Sequence, residues 1–99
     1  MTGTVVLVVT FRARADGVDE LRRRLLDLVG LTRAEAGCLR YDLHGHDDDP
    51  LRLTFVEEWA TAQAHAAHDL TPWVRELREQ LPRLLVGDAE VTRLSRIEP

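Results

Sequence analysis

The sequence contains no lysine and no asparagine, and it has a single cysteine. Its 13 basic residues are therefore all arginine. The absence of lysine excludes Schiff-base chemistry and the phosphate-binding lysine of a P-loop. Because a lone thiol cannot form a disulfide within the chain, we predict that Cys38 is buried in a strand and inert.

The chain also has no excess of positive charge. The net charge is -4 at pH 7, whereas a nucleic-acid-binding protein needs a basic face. No apolar run is long enough to span a membrane, and the N-terminus lacks the basic segment of a signal peptide. These absences predict a cytoplasmic protein that binds neither nucleic acid nor membrane.

The composition that remains is typical of a globular protein, with 44% hydrophobic and 30% charged residues. A chain of 99 residues is too short to divide into two cores, so we expect one domain over residues 1–99. The run TVVLVVTFR, residues 4–12, predicts a strand covered on both faces, because it is β-branched without clean alternation. Residues 18–36 place Leu21, Leu25 and Leu28 on one helical stripe, and Gly37 should end that helix.

The second half of the sequence predicts a hairpin, two helical segments and a last strand. CLRYDLH (38–44) alternates, LRLTFVEEW (51–59) is its return strand, and GHDDDP between them has turn chemistry. AQAHAAH and WVRELREQL are helical and can be capped by Thr61 and Thr71, with Pro72 at the first helical position. Pro82 should kink or end the second helix, and AEVTRLSRI is the last strand.

The element order β-α-β-β-α-β predicts a ferredoxin-like α+β fold, with a four-stranded antiparallel sheet and the helices on one face. The valines of the first strand point to both faces, although helices cover only one. The other face would then carry an apolar patch that monomers rarely expose. We therefore predict a homodimeric α+β barrel in which two sheets face each other. Each subunit would keep a cavity between sheet and helices for a flat molecule.

Four segments resemble the antibiotic-biosynthesis monooxygenase superfamily: EAGCLRY, DDP, EEW and AHDLTPWVREL. The resemblance covers nearly the whole chain and implies a small dimeric α+β barrel. The superfamily includes cofactor-free quinol and polyketide anthrone oxygenases, and also haem-degrading enzymes. Haem-degrading members use an asparagine, a tryptophan and a histidine, whereas this chain has no asparagine and carries His68 and Arg78 at or near the other two positions. The resemblance therefore implies that haem degradation is not the activity.

The anthrone-oxidising members match more of the chain. Their tryptophan, active-site arginine and second-strand histidine correspond to Trp59, Arg78 and His44. Phe55 stands where they have an asparagine, and His65 where they have a tyrosine. The resemblance thus implies a pocket at these positions, and the two replacements leave the substrate and the reaction open.

No cofactor motif is present, so an oxygenase here would have to use the electrons of its substrate. We predict a cofactor-independent monooxygenase acting on a phenolic, quinol or polyketide aromatic. Such chemistry needs a dry pocket, a base and oxyanion donors. We assign the base to His68, with His65 as the other candidate, and Arg78 to binding of an anionic substrate. The predicted substrate-binding residues are Trp59, Tyr41, His44, Phe55 and Trp73.

The turn residues His44, His46, Asp47, Asp48 and Asp49 are ligand types for a metal, but their spacing matches no recognised site. We predict a bend with a solvated His46 and no metal.

Other interpretations remain open. The two helix histidines can be packing or surface residues, Arg78 a solvated arginine, and the tryptophans core. At the level of function, the scaffold can also serve a cyclase, isomerase or decarboxylase, or a non-catalytic protein that binds an aromatic ligand.

Overall fold

The computed structural model describes residues 3–97. Its elements follow in the order β1, α1, β2, β3, α2, α3 and β4. The bounds are β1 Val5–Arg12, α1 Val18–Arg33, β2 Cys38–His46, β3 Asp49–Trp59, α2 Ala62–Asp69, α3 Pro72–Leu84 and β4 Glu90–Leu94.

The four strands form one antiparallel sheet in the order β2-β3-β1-β4. This arrangement confirms the predicted ferredoxin-like α+β fold, with the second helical region divided into α2 and α3. No helix within residues 3–97 combines the length and the apolar character needed to cross a membrane.

The helices cover one face of the sheet, which we call the covered face. Its strand residues include Leu7, Phe11, Phe55 and Trp59, all buried. They pack in one core with the predicted stripe of α1 and with buried residues of α3: Leu21, Leu25, Leu28, Val74, Leu77 and Leu84. Replacing one of the fully buried leucines by alanine is expected to cost about 2–5 kcal/mol of stability.

The opposite side, which we call the open face, carries the alternate residues of the same strands. Val6, Val8 and Val56 lie there and are only half-buried. In one protomer, therefore, β1 is covered on one face and not on both. All three helices lie on the same side, as predicted, and the sequence-based prediction assigns the other face to a second copy of the chain.

The caps of α2 and α3 and the β2–β3 turn agree with the sequence, whereas α1 ends at Arg33 and not at Gly37 as predicted. The Thr61 hydroxyl accepts a hydrogen bond from the Ala64 backbone N–H at 3.0 Å, and Thr71 caps α3 with Pro72 at its start. Pro82 lies inside α3, and the helix ends two residues later. Asp47 and Asp48 form the β2–β3 turn, which confirms the predicted bend.

Gly37 lies between α1 and β2 with a φ of 81°, a conformation that favours glycine. A Cβ atom at this position would lie 2.5 Å from the Cβ of Ala64. The absence of a side chain therefore lets the start of β2 approach α2 closely. The next residue, Cys38, is half-buried, and burial raises the pKa of its thiol, which keeps it protonated and unreactive.

Candidate functional site

A cavity of about 180 Å³ lies between the covered face of the sheet and the helices. Most of its wall is apolar, which favours the exclusion of water. Its apolar lining comes from β1, β3, α1 and α3 and includes Leu7, Val9, Phe11, Leu28, Phe55, Val74, Leu77 and Leu81. Its polar lining consists of Tyr41, Glu57, His65, His68, Asp69 and Arg78.

His68, near the end of α2, is the most tightly held polar residue of this cavity. Only 4% of it is exposed, and its Nδ1 lies 2.9 Å from Oε2 of Glu35. The same carboxylate oxygen accepts a hydrogen bond from the indole N–H of Trp73 at 3.0 Å. The Glu35 carboxylate therefore places the proton of a neutral His68 on Nδ1, and Nε2 forms no hydrogen bond with any of residues 3–97.

Aromatic rings surround the His68 imidazole. Its centroid is 4.7 Å from the Trp59 ring and 5.5 Å from the Tyr41 ring, and Tyr41 stacks on Phe55 at 4.3 Å. Burial raises the pKa of the Tyr41 phenol far above its ordinary value, so it remains a hydrogen-bond donor. The imidazole is thus held in a dry aromatic setting.

Glu57 of β3 is a second buried carboxyl group in the cavity wall. Only 4% of the residue is exposed, and its Oε1 accepts a hydrogen bond from the Trp59 indole N–H at 3.0 Å. Burial raises the pKa of Glu57, which favours the protonated form.

A separate group of charged side chains includes His65, Asp69 and Arg78. A guanidinium nitrogen of Arg78 donates to Oδ1 of Asp69 at 2.9 Å, and the His65 Nε2 lies 3.9 Å from the same oxygen. The Arg78 side chain is 56% exposed. Burial lowers the pKa of His65, and the Asp69 carboxylate partly offsets that effect. Asp69 thus compensates the charge of Arg78.

Comparison with known proteins identifies the family. A sequence model of the family described as "Antibiotic biosynthesis monooxygenase" matches residues 4–80. The chain belongs to this family. A Mycobacterium tuberculosis protein named "Putative monooxygenase Rv0793" is 32% identical over 98 residues, which cover 99% of this chain and 96% of that protein.

Solved structures of several bacterial proteins share the fold. The structure of Rv0793 matches with a TM-score of 0.92 at 30% identity, covering 98% of each chain. PA3566 from Pseudomonas aeruginosa gives 0.92 at 31% identity, covering 99% of this chain and 98% of that one. A Deinococcus radiodurans structure described as a "putative antibiotic biosynthesis monooxygenase" gives 0.88 at 28% identity, covering 96% and 94%.

Most of the residues that the sequence singles out for this family member lie together. Five of the eight line the cavity, namely His68, His65, Arg78, Tyr41 and Phe55. The tryptophans do not line it. Trp59 is fully buried beside His68, and Trp73 lines a groove between α1 and α3 while its indole donates to Glu35.

His44 lies elsewhere. It pairs with Thr54 on the open face and is exposed, so within one protomer it does not reach the cavity. This position corrects the expectation that His44 points inward. His46, expected to be solvated, is half-buried, and its Nε2 lies 2.6 Å from the Thr54 hydroxyl. Within residues 3–97, no group of three or more His, Cys, Asp and Glu side chains is placed to hold a metal ion.

The sequence-based prediction omitted two carboxyl groups, the buried Glu57 and the partly buried Glu35. Glu57 could have been found, because it lies two residues from Trp59 in a strand and must share the face of that tryptophan. Glu35 had no comparable signal. It lies 33 residues from His68 in the sequence, and only the tertiary fold brings the segment after α1 next to α2 and α3.

Proposed function

We propose that the protein is a monooxygenase that oxidises a single-ring phenol or hydroquinone with molecular oxygen, without a bound cofactor. The observation that carries this proposal is the buried His68 in the wall of an apolar cavity, paired with the partly buried carboxylate of Glu35. A carboxylate that orients an imidazole and stabilises its protonated form is a common arrangement for a general base.

The size of the cavity favours a single aromatic ring. An apolar cavity of about 150 Å³ binds benzene, and pockets for drug-sized ligands have volumes of about 300–1,000 Å³. At about 180 Å³, the cavity of one protomer suits a substituted benzene. An anthrone, with three fused rings, would need more space than one protomer provides.

The proposed chemistry begins with proton transfer from a hydroquinone hydroxyl to Nε2 of His68. The carboxylate of Glu35 stabilises the imidazolium, and the electron-rich anion reduces dioxygen directly. In the overall reaction, one hydroquinone and one dioxygen give one hydroxyquinone and one water. Dioxygen accepts four electrons. One of its oxygen atoms is added to the ring, and the other is released as water. The apolar wall, including Leu7, Phe55 and Val74, keeps bulk water away from the anion.

We also propose that two copies associate through their open faces. Val6, Val8 and Val56 form an apolar strip there, and a second copy would remove it from water. The helices and the cavity would then lie on the outside of the two-sheet barrel.

Oxygen uptake tests the proposed reaction. Protein treated with a chelator is mixed with methylhydroquinone, chlorohydroquinone and 4-methylcatechol, and oxygen consumption is compared with samples lacking protein. We expect a saturable increase with at least one compound and one oxygen atom from labelled dioxygen in the product. Rates equal to those without protein for the whole set would contradict the proposal. Product formation without oxygen would instead indicate an isomerase or decarboxylase, and saturable binding without product a binding protein.

A further inference from the structure

Glu57 has no part in the base described above, although it lines the same cavity. Its Oε1 is held by the Trp59 indole N–H, which fixes the position of the carboxyl group. Its Oε2 forms no hydrogen bond with any of residues 3–97. The surrounding protein atoms do not enclose this oxygen completely. This second oxygen is therefore available to a ligand in the cavity.

The surroundings of Glu57 disfavour a negative charge. Within the described part of the chain, the residue forms no ion pair with an arginine or a histidine. Its neighbours in the sheet are Leu7 and Tyr41. Burial is the largest influence on its pKa and opposes ionisation; the Trp59 hydrogen bond and a charge on His68 favour ionisation, and the carboxylates of Asp69 and Glu35 oppose it. An unpaired carboxylate is expensive to bury, so the protonated acid is the favoured state. The raised pKa of the group agrees with this.

We propose that Glu57 acts as a neutral carboxylic acid whose Oε2–H donates a hydrogen bond to an oxygen atom of the ligand. This inference rests on the proposed function, since it concerns the ligand of the same cavity. The arrangement places a donor and an acceptor in one wall, with Glu57 giving a hydrogen bond and Nε2 of His68 receiving a proton. As the ligand loses its proton, the hydrogen bond from Glu57 stabilises the developing oxyanion.

The same arrangement selects the charge of the ligand. Arg78 is compensated by Asp69 and largely exposed, so it does not supply a free positive charge for an anion in the cavity. The carboxylates of Glu35 and Asp69 would instead repel one. We infer that the cavity takes a neutral ring bearing a hydrogen-bond-accepting oxygen and rejects a carboxylate of the same size. This replaces the anionic substrate that the sequence suggested.

Three probes of similar shape test separately the need for an acceptor oxygen and the need for a neutral ligand. None of them has to react with oxygen. Acetophenone has a neutral acceptor oxygen, 2-phenylpropene replaces that oxygen with a methylene group, and benzoate carries a charge. Binding to the whole protein is measured by NMR titration at pH 7. We expect acetophenone to bind about tenfold more tightly than either of the other probes, because a buried donor left unpaired is costly.

Two variants assign the preference to Glu57. Glu57→Gln keeps an oxygen for Trp59 and an N–H donor for the ligand, so it should retain the preference for acetophenone over 2-phenylpropene. Glu57→Met has a similar length and no donor, and the two affinities should become equal within about twofold. Glu79→Gln, which removes an exposed carboxylate from α3, is the matched control and should leave all three affinities unchanged.

Several results would overturn the inference. These are equal binding of the three probes by the unmodified protein, binding of none of them, or an unchanged preference in Glu57→Met.

An infrared difference spectrum at pH 7 gives a check that does not depend on the folding of that variant. It should contain the carbonyl band of an un-ionised carboxylic acid that Glu57→Gln lacks, and its absence would also contradict the inference. Probe binding without oxygen uptake would overturn the monooxygenase and leave the role of Glu57 standing.

Discussion

The two faces of the sheet are built from the same strands and differ in what covers them. On the covered face, Leu7, Phe55 and Trp59 are almost completely buried, and polar residues beside them form hydrogen bonds inside a cavity. On the open face, the alternate residues Val6 and Val8 remain half-exposed. The period of two along β1 and β3 thus separates the side that carries the cavity from the side for which we propose association with another copy.

The polar groups of the two faces differ in the same way. The carboxyl groups of Glu35 and Glu57 on the helix side form hydrogen bonds with a histidine and two tryptophans. On the open face, His46, Thr54 and Thr10 form a chain of hydrogen bonds of 2.6 and 2.9 Å, next to half-exposed valines. The comparison suggests that chemistry belongs to the covered face and assembly to the open face.

The strongest way to break the covered face is to remove its base. His68→Gln should lower kcat by about 100- to 10,000-fold, the usual contribution of general-base catalysis. Glu35→Gln should lower it by about tenfold or more, because the imidazole loses the charge that stabilises its protonated form. Initial rates of oxygen uptake measure both effects, with circular dichroism to verify folding. Unchanged rates in His68→Gln would remove the histidine from the mechanism.

Val8→Asp tests the open face. A carboxylate buried between two sheets without a partner costs several kcal/mol, so the dissociation constant of the dimer should rise by about 1,000-fold or more. Light scattering over a range of protein concentrations measures the mass. Leu26→Asp introduces the same charge at an exposed leucine of α1 and should leave the dimer intact. A wild-type protein that is monomeric at high concentration would refute the proposed assembly.

Gly37→Ala tests how closely the sheet approaches α2. The left-handed backbone and the contact with Ala64 should together reduce stability by about 2–4 kcal/mol. Gly45→Ala is the control, because a Cβ there meets no atom within 4 Å and φ is not positive; its effect should be small or stabilising by about 0.4–1 kcal/mol. Urea unfolding gives both values. Equal effects of the two substitutions would show that the close approach does not matter.

The smallest expected effect concerns the pH dependence of stability. Below the ordinary glutamate pKa of 4.5, Glu57 is protonated in both folded and unfolded chains. As pH rises, the unfolded chain ionises first, so the wild type loses stability until the folded group also ionises. Glu57→Gln does not titrate, and its melting temperature relative to wild type should therefore increase with pH. Glu79→Gln should show no such trend, and a constant difference for Glu57→Gln would indicate an ionised Glu57.

The fold could be predicted from the sequence because its signals are local. The leucine stripe of α1, the threonine caps of α2 and α3, and the aspartate turn each depend on residues close in the chain. The strand assignments followed from β-branched and alternating runs. The open side of β1 was also predictable, because successive valines point to opposite faces and the helices can cover only one of them.

The site was less predictable because its contacts are long-range. The sequence singles out His68 as the candidate base, but its hydrogen-bond partner Glu35 comes from the segment after α1, and nothing local joins the two. Arg78 was predicted to meet an anionic substrate, whereas it donates to Asp69 across the α2–α3 turn. Trp59 has the position expected from the resemblance, but its ring is buried beside the histidine instead of lining the cavity.

A crystal structure of the protein soaked with methylhydroquinone in the absence of oxygen tests most directly whether the covered face holds the substrate. We expect one ring in the cavity between Phe55 and His68, with a hydroxyl within hydrogen-bonding distance of Nε2 of His68 and an oxygen atom near Glu57. A ring bound on the open face, or an empty cavity at a concentration that saturates oxygen uptake in solution, would contradict the assignment of chemistry to the covered face.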